Sequence, residues 1–150
     1  MFLTFIFFTY IIVKKPKKGK NMNCLNCNKV IVKRNKYCSI KCQKEYEYNK
    51  CIEKWKNGDF DGMRGEYQIS MHIKTYLLKK YNYKCTRCGW GKVNKYTGKI
   101  PLEIEHIDGN FKNNQEENLT VLCPNCHSLT STYKGANYRK GRSSRKKYVN

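Results

Sequence analysis

Acidic side chains are scarce in this sequence. The 150 residues contain 11 Asp and Glu against 31 Lys and Arg, so the formal net charge at pH 7 is +20. A chain with so little negative charge attracts polyanions, and nucleic acid is the commonest polyanionic partner of a protein. A ribosome or an acidic membrane surface would satisfy the same charge, so composition indicates a class of partner and no single function. The length allows one or two small domains.

A membrane-spanning segment is also lacking. The apolar stretch MFLTFIFFTYIIV ends at residue 13, whereas a transmembrane helix needs about 20 apolar residues. Its charges, KKPKKGK, follow the stretch and no small-residue cleavage site is present, which is atypical of a signal peptide. We interpret residues 1–21 as upstream sequence, with translation starting at Met22, over the alternative of a membrane-associating tail. No stable membrane association is expected.

Large aliphatic side chains are few, while Lys, Asn and Tyr are frequent, so additional cross-links would help a small core. Nine cysteines are present. Eight of them form three Cys-x-x-Cys pairs and one Cys-x-x-x-Cys pair, a spacing typical of tetrahedral zinc sites and seldom used for disulfides. Zinc-bound thiolates imply a reducing compartment, which predicts a cytoplasmic location. Cys51 is left over, and we interpret it as a free cysteine in a helix.

The first two cysteine pairs, in CLNCNKVIVKRNKYCSIKC, predict a small zinc module. Cys24 and Cys27 form one half of the site. Cys38 and Cys42 form the other, and their spacing suits the first turn of a helix that continues to near Gly58. Four thiolates fill every position around a tetrahedral ion, so this site is expected to be structural. Basic residues crowd the predicted hairpin between the pairs, which leaves DNA contact open as a second role.

A connector follows the first module. Residues 57–69 contain three glycines and predict a loop or hinge. Ser70 is suited to be the N-cap of a helix, and apolar residues after it recur at the spacing of one helix face, namely Ile73, Leu77 and Tyr81. The pattern predicts a connecting helix that packs on the domain that follows.

The remaining paired cysteines flank two apolar segments. Cys85 and Cys88 lie in CTRCGW, and Cys123 and Cys126 lie in CPNCH, which together predict a second zinc site. The segments between them, LEIEHID and NLTVLCP, have the alternation of a strand pair and are joined by a Gly- and Asn-rich loop. Because the second pair holds its own flanks, His127 is expected to lie close to the strands. A short helix is expected next, which gives the order strand, loop, strand, helix.

These residues resemble the HNH endonuclease family, whose domain has the ββα-metal fold. The resemblance rests on IEHIDGN, ENLTVLCPNCH and CTRCGW and covers residues 85–134. His106, Asn118 and His127 occupy the family's His, Asn and His positions in the family's order, and the flanking cysteines match the zinc knuckles of many members. The preceding module and connector resemble those of small free-standing HNH proteins of phages and other viruses.

The resemblance completes a predicted architecture. The fold class is a small zinc-stabilised α+β protein, with a ββα-metal HNH core preceded by a small four-cysteine zinc module and a connecting helix. The predicted organisation is an upstream or membrane-like segment at 1–21, the four-cysteine module with its helix at 22–56, the hinge and connecting helix at 57–84, the HNH nuclease domain at 85–134 and a basic tail at 135–150. The tail suits contact with phosphates and bases, and a merely solubilising role is the alternative.

The residue types match what phosphodiester hydrolysis requires. The reaction needs an activated water, a cation for the charge that develops at phosphorus, and assistance to the leaving oxygen. By the resemblance, His106 is the general base, Glu105 and His127 hold one Mg²⁺ or Mn²⁺, and Asn118 fixes the loop or the orientation of the base. Family members most often have Asp or His before the first histidine. Glu105 can still ligate a hard cation, but its longer side chain shifts the ion.

The predicted function is a metal-dependent DNA endonuclease with two structural zinc ions and no small-molecule substrate. Homing, defence and phage DNA processing all fit, with the host cytoplasm as the location if a phage encodes the protein. A homodimer would suit double-strand cleavage. The alternative is a non-catalytic zinc-finger protein that binds nucleic acid, which explains the charge and the cysteines but gives no role to Glu105, His106, Asn118 and His127.

Overall fold

The computed structural model describes residues 22–31 and 35–134, and the interpretations of residues 1–21 and of the tail at 135–150 fall outside this range. The chain divides into two compact units, Met1–Lys44 and Glu45–Asn150. The predicted domain boundaries stay predictions. No helix in the described ranges combines the length and apolar character that crossing a membrane requires.

The architecture is α+β, as predicted, and is built from short elements. In chain order they are β1 (Met22–Asn23), β2 (Val30–Ile31), α1 (Ile40–Lys56), β3 (Met63–Arg64), β4 (Gln68–Ile69), α2 (Met71–Lys80), β5 (Glu103–His106), a 3-10 helix (Glu116–Asn118), β6 (Leu119–Leu122) and α3 (Pro124–Ser128). The strands form three antiparallel pairs within the described residues, β1 with β2, β3 with β4, and β5 with β6.

The first unit is organised around a tight turn. The backbone N–H of Cys24 donates to Lys29 (N–O 2.8 Å), and the N–H of Asn28 donates back to Cys24 (N–O 2.9 Å). Asn28 has a φ of 59°, a left-handed conformation that asparagine tolerates better than most residues. Residues 32–34 of the predicted hairpin lie outside the described range.

Both predicted helices are confirmed. Helix α1 ends at Lys56, and Gly58 follows with a φ of 81°. Helix α2 begins after Ser70, whose hydroxyl oxygen accepts a hydrogen bond from the backbone N–H of His72 (3.3 Å). Ile73 and Leu77, on one face of α2, are fully buried. A Ser cap and an i, i+4 apolar pair are local signals, which explains why the sequence was sufficient to place this helix.

The connector differs from its predicted form. Instead of an open loop, residues 57–69 contain the β3–β4 hairpin, in which Met63 pairs with Ile69. The backbone N–H of Ser70 donates to the carbonyl of Gly62 (2.8 Å), so the hairpin leads directly into α2. Two-residue strands have no measurable alternation, and the hairpin therefore left no pattern in the sequence.

The core of the second unit is small and includes sulfur atoms. Its buried side chains come from α1, α2, β6, α3 and the residues that flank the strands: Ile52, Trp55, Ile73, Leu77, Cys85, Leu102, Leu119, Val121, Leu122, Cys123 and Cys126. Strands β5 and β6 are shorter than predicted, with Glu103 paired to Leu122 and His106 paired to Leu119. Strand β5 ends at His106 because the chain turns at Gly109, which has a φ of 73°.

Gly62 and Gly58 provide a matched test of how tightly the hairpin packs. Both have a φ near +80°, but a Cβ atom on Gly62 would lie 2.8 Å from Asn114 Cβ and 2.9 Å from Ile73 Cδ1, whereas one on Gly58 would meet nothing within 4 Å. We expect Gly58→Ala to destabilise the protein by about 1 kcal/mol through backbone strain alone. Gly62→Ala should cost about 3 kcal/mol because overpacking adds to that strain.

Urea-induced unfolding, followed by tryptophan fluorescence, measures the loss in the free energy of unfolding for both variants. Equal losses in the two variants would contradict the close packing of the hairpin against Asn114.

Candidate active site

Eight cysteines lie in two clusters in which all four sulfur atoms are within 4.8 Å of one another: Cys24, Cys27, Cys38 and Cys42 in the first, and Cys85, Cys88, Cys123 and Cys126 in the second. All nine cysteines lie in the described ranges and none forms a disulfide. In the first cluster the sulfurs of Cys27 and Cys38 are 3.6 Å apart. In the second those of Cys88 and Cys123 are 3.8 Å apart. Four sulfurs bound tetrahedrally to one zinc ion would be about 3.8 Å apart, so either cluster could hold a metal.

Backbone N–H groups favour the thiolate form in both clusters. A hydrogen bond from the backbone of Cys27 lowers the pKa of Cys24 to about 6, against the opposing effect of burial. Burial raises the pKa of Cys85, but backbone N–H groups, with that of Cys123 first, outweigh it and bring the pKa to about 6. Other thiols shift the opposite way: a hydrogen bond with Cys42 raises the pKa of Cys38 to about 12, and burial raises the pKa of Cys126 to about 12. Each cluster thus contains at least one cysteine that favours the thiolate, the form that binds metal.

The second cluster also determines the position of His127. Cys123 caps α3 by accepting a hydrogen bond from the backbone N–H of Cys126 on its sulfur (3.5 Å) and one from the N–H of His127 on its carbonyl (2.9 Å). Pro124 occupies the first turn of the helix, where its missing N–H costs nothing. The ring of His127 is therefore held by the same turn that carries two sulfur ligands.

His127 contacts two carboxylates of β5, one at each ring nitrogen. Its Nε2 lies 2.7 Å from Oε2 of Glu105, and its Nδ1 lies 2.5 Å from Oε2 of Glu103. Glu103 and Glu105 share a face because successive strand residues alternate. Glu103 is 52% exposed, yet its carboxylate also orients the ring. The structure thus brings together Glu105 and His127, the two residues assigned to the catalytic ion.

The side chain of Glu105 is largely buried and is held by hydroxyl groups. Its side chain is 12% exposed, and Oε1 accepts hydrogen bonds from the hydroxyls of Thr130 and Thr132. The ring of Tyr133 lies edge-on to the ring of His127, with centroids 5.1 Å apart. The 2.7 Å between the Glu105 oxygen and the His127 nitrogen is a direct hydrogen-bond distance, and adjacent ligand positions around an octahedral Mg²⁺ are about 3 Å apart, so a small shift would let the two atoms share one ion. A second carboxylate on the far nitrogen of a ligating histidine is the usual way to orient such a ring.

His106 faces the other side of β5 and contacts a residue that the sequence analysis missed. Its Nε2 lies 2.8 Å from Oδ1 of Asn114. Asn114 is 3% exposed, and its backbone carbonyl accepts a hydrogen bond from the indole N–H of Trp55 (2.7 Å). Asn114 is one of several asparagines in a polar loop, and the sequence contains no signal that distinguishes it.

Asn118 holds the loop between β5 and β6. Its Oδ1 accepts from the backbone N–H of Asp108 (3.0 Å), and its Nδ2 donates to Oδ1 of Asp108 (2.9 Å) and to the carbonyl of Asn113 (2.8 Å). Burial raises the pKa of Asp108, but hydrogen bonds from Asn113, Asn110 and Asn118 outweigh it and leave the pKa below its ordinary value. Of the two roles that the resemblance allowed for Asn118, its contacts match the fixing of the loop.

Two antiparallel strands, a short helix, a thiolate cluster and a His–carboxylate pair define a ββα-metal module. Residues 85–132 match the HNH endonuclease family model, so this part of the chain is an HNH endonuclease domain.

Two curated proteins are similar to this chain. The H-N-H endonuclease F-TflIV of Escherichia phage T5 is 46% identical over 72 residues, which cover 47% of this chain and 30% of the phage protein. Zorya protein ZorE of Escherichia coli is 31% identical over 90 residues, which cover 59% of this chain and 24% of ZorE. The chain therefore spans less than a third of the length of each of these relatives. No solved structure gives a significant match.

Metal content tests the two clusters, with Cys51 as the matched control. Cys51 lies in α1 outside both clusters, and its sulfur lies 3.9 Å from the hydroxyl of Ser70. Protein purified without chelators should contain about two tightly bound ions per chain, because each closed thiolate site binds one. Cys88→Ser should lower this to about one, whereas Cys51→Ser should leave it unchanged. Inductively coupled plasma mass spectrometry measures both, and an unchanged content in Cys88→Ser would argue against the second site.

Proposed function

We propose that this chain is a metal-dependent DNA endonuclease of HNH type that hydrolyses phosphodiester bonds. The observation that carries the proposal is the 2.7 Å approach of Glu105 and His127 inside the HNH domain, next to His106 in sequence. The positive charge of the chain supports a polyanionic substrate. Thiolate ligands support a reducing, cytoplasmic location.

The two cysteine clusters would each hold one Zn²⁺. Their four thiolates fill all positions of a tetrahedral ion and leave none for substrate or water, so both ions would be structural. This role agrees with the small core of the second unit, in which Cys85, Cys123 and Cys126 are themselves buried.

The catalytic ion would be Mg²⁺ or Mn²⁺, held by Glu105 and by Nε2 of His127. Mg²⁺ commonly takes few protein ligands and keeps several waters, which suits a site of two donors. When bound, the ion would supply positive charge to the phosphate oxygens and to the leaving oxygen. Glu103 accepts the Nδ1 proton of His127, which would leave the Nε2 lone pair available to hold the ion.

His106 would act as the general base. A neutral imidazole can take a proton from water near pH 7, and the resulting hydroxide attacks phosphorus. Asn118 holds the loop after His106 in one conformation, which keeps the end of β5 in place. One such site per chain would cut one strand, and double-strand cleavage would use a homodimer. Homing, defence and phage DNA processing are the roles that fit this activity.

Plasmid cleavage tests the role of His106, with His72 as the matched control. His72 lies in α2, outside the HNH domain, with its ring edge-on to Tyr48. The wild-type chain should nick supercoiled plasmid only when Mg²⁺ or Mn²⁺ is added. His106→Ala should lower the rate by at least about 10²-fold, because general-base catalysis contributes that much, while His72→Ala should retain it.

Agarose gels of plasmid conversion over time provide the measurement. DNA binding without cleavage by the wild-type chain in either metal would instead indicate a non-catalytic zinc-finger protein.

A further inference from the structure

The orientation of the Asn114 amide is determined by its surroundings. Its Nδ2 lies 3.0 Å from the backbone carbonyl oxygen of Asp61 and 3.0 Å from the sulfur of Met63. Both of these atoms can only accept a hydrogen bond, so the NH₂ group must face them. The reversed amide would place its oxygen against a carbonyl oxygen in a buried site, which is repulsive. Oδ1 of Asn114 therefore faces His106.

This orientation decides which nitrogen of His106 carries the proton. An amide oxygen has no proton to donate, so Nε2 of His106, 2.8 Å away, must be the donor. In the neutral ring the lone pair is then on Nδ1. Within residues 22–31 and 35–134 the structure gives Nδ1 no hydrogen-bond partner.

We infer that Asn114 is a positioning residue that holds His106 as the Nε2–H tautomer, so that Nδ1 is the nitrogen that takes the proton from water. The inference rests on the proposed role of His106 as general base. In the step, an O–H bond of water breaks, an N–H bond forms at Nδ1, and the electron pair stays on the oxygen that attacks phosphorus. The P–O bond to the leaving oxygen breaks with its electron pair on that oxygen, which then takes a proton from solvent. The Nε2 proton remains on its hydrogen bond to Asn114 throughout, and the charge of the imidazolium is stabilised by the amide oxygen.

Helix α1 and the connector together hold Asn114 in place. The indole of Trp55 binds the backbone carbonyl of Asn114, Asp61 and Met63 bind its side chain, and Gly62 packs directly against its Cβ. Apart from Asn114 itself, all of these residues precede the part of the chain that matches the family model. The segment predicted as a hinge thus acts as a support for the base, and the HNH domain depends on residues that precede it.

The tautomer is measured directly by long-range ¹H–¹⁵N NMR of the histidine rings at a pH where His106 is neutral. The chain has three histidines, so the His106 signals are assigned by their loss in His106→Ala. We expect the proton on Nε2 in the wild-type chain. In Asn114→Ala the ring should lose this preference and become a mixture of tautomers. The control Asn113→Ala removes a neighbouring amide that contacts Asp108 and should leave the tautomer unchanged.

The kinetic counterpart uses the cleavage assay. Asn114→Ala should lower kcat by about 10²-fold and leave KM nearly unchanged, because the ring orientation affects the chemical step and not DNA binding. A wild-type His106 protonated at Nδ1, or a tautomer that does not change in Asn114→Ala, would overturn the inference. If either of these tautomer results is found while the wild-type chain still cleaves DNA, the inference is wrong but the proposed function is not contradicted. If the wild-type chain has the Nε2–H tautomer but does not cleave DNA, the proposed function is wrong. The tautomer then has no role in catalysis, and the inference falls with the proposed function.

Discussion

The position of His127 depends on the thiolate cluster at the end of β6. Cys123 and Cys126 lie on either side of the turn into α3, and Cys85 and Cys88 approach the same point from an earlier segment. The backbone N–H of Thr86 donates to the carbonyl of Val121 (2.9 Å), which joins that segment to the strand. A pentapeptide helix has little stability of its own, because helix nucleation is unfavourable and few bonds follow it. The cysteine cluster therefore stabilises α3, as packing against a larger hydrophobic core would stabilise a helix in another protein.

The two faces of β5 serve two different requirements. One face presents the carboxylates of Glu103 and Glu105 to the ring of His127. The other presents His106 to Asn114, which is buried and fully hydrogen-bonded. Strand alternation separates His106 from Glu105 although they are neighbours in sequence. In the proposed mechanism each group can then be oriented by its own set of partners, without competition for the same space.

Much of the fold could be predicted because its signals are local. The cysteine spacings, the Ser70 cap and the Ile73–Leu77 periodicity each lie within a few residues, and the structure contains the corresponding clusters and helix. The support of His106 could not be predicted, because the contact between Trp55 and Asn114 joins residues 59 positions apart. Neither residue belongs to a pattern, and the hairpin that packs on them has strands of two residues. Such contacts are set by tertiary packing alone.

The resemblance to HNH nucleases identified Glu105 and His127, and the contact between their side chains supports the pairing. Glu103 illustrates the complementary case. Strand alternation puts it on the face of Glu105, but alternation does not predict its contact with the ring of His127. A half-exposed side chain can still orient a neighbour when a second element, here α3, approaches it. The approach of α3 to β5 depends on the cysteine cluster, so the residue spacing within β5 does not predict it.

The proposed mechanism requires that Glu105 and His127 together hold one divalent cation. Anomalous diffraction from crystals soaked in Mn²⁺ tests it most directly, because manganese and zinc are distinguished by their absorption edges. We expect a manganese peak between the Glu105 carboxylate and Nε2 of His127, separate from a zinc peak in each cysteine cluster. Manganese found only at the cysteine clusters, or no manganese beside His127 at concentrations that support DNA cleavage, would contradict it.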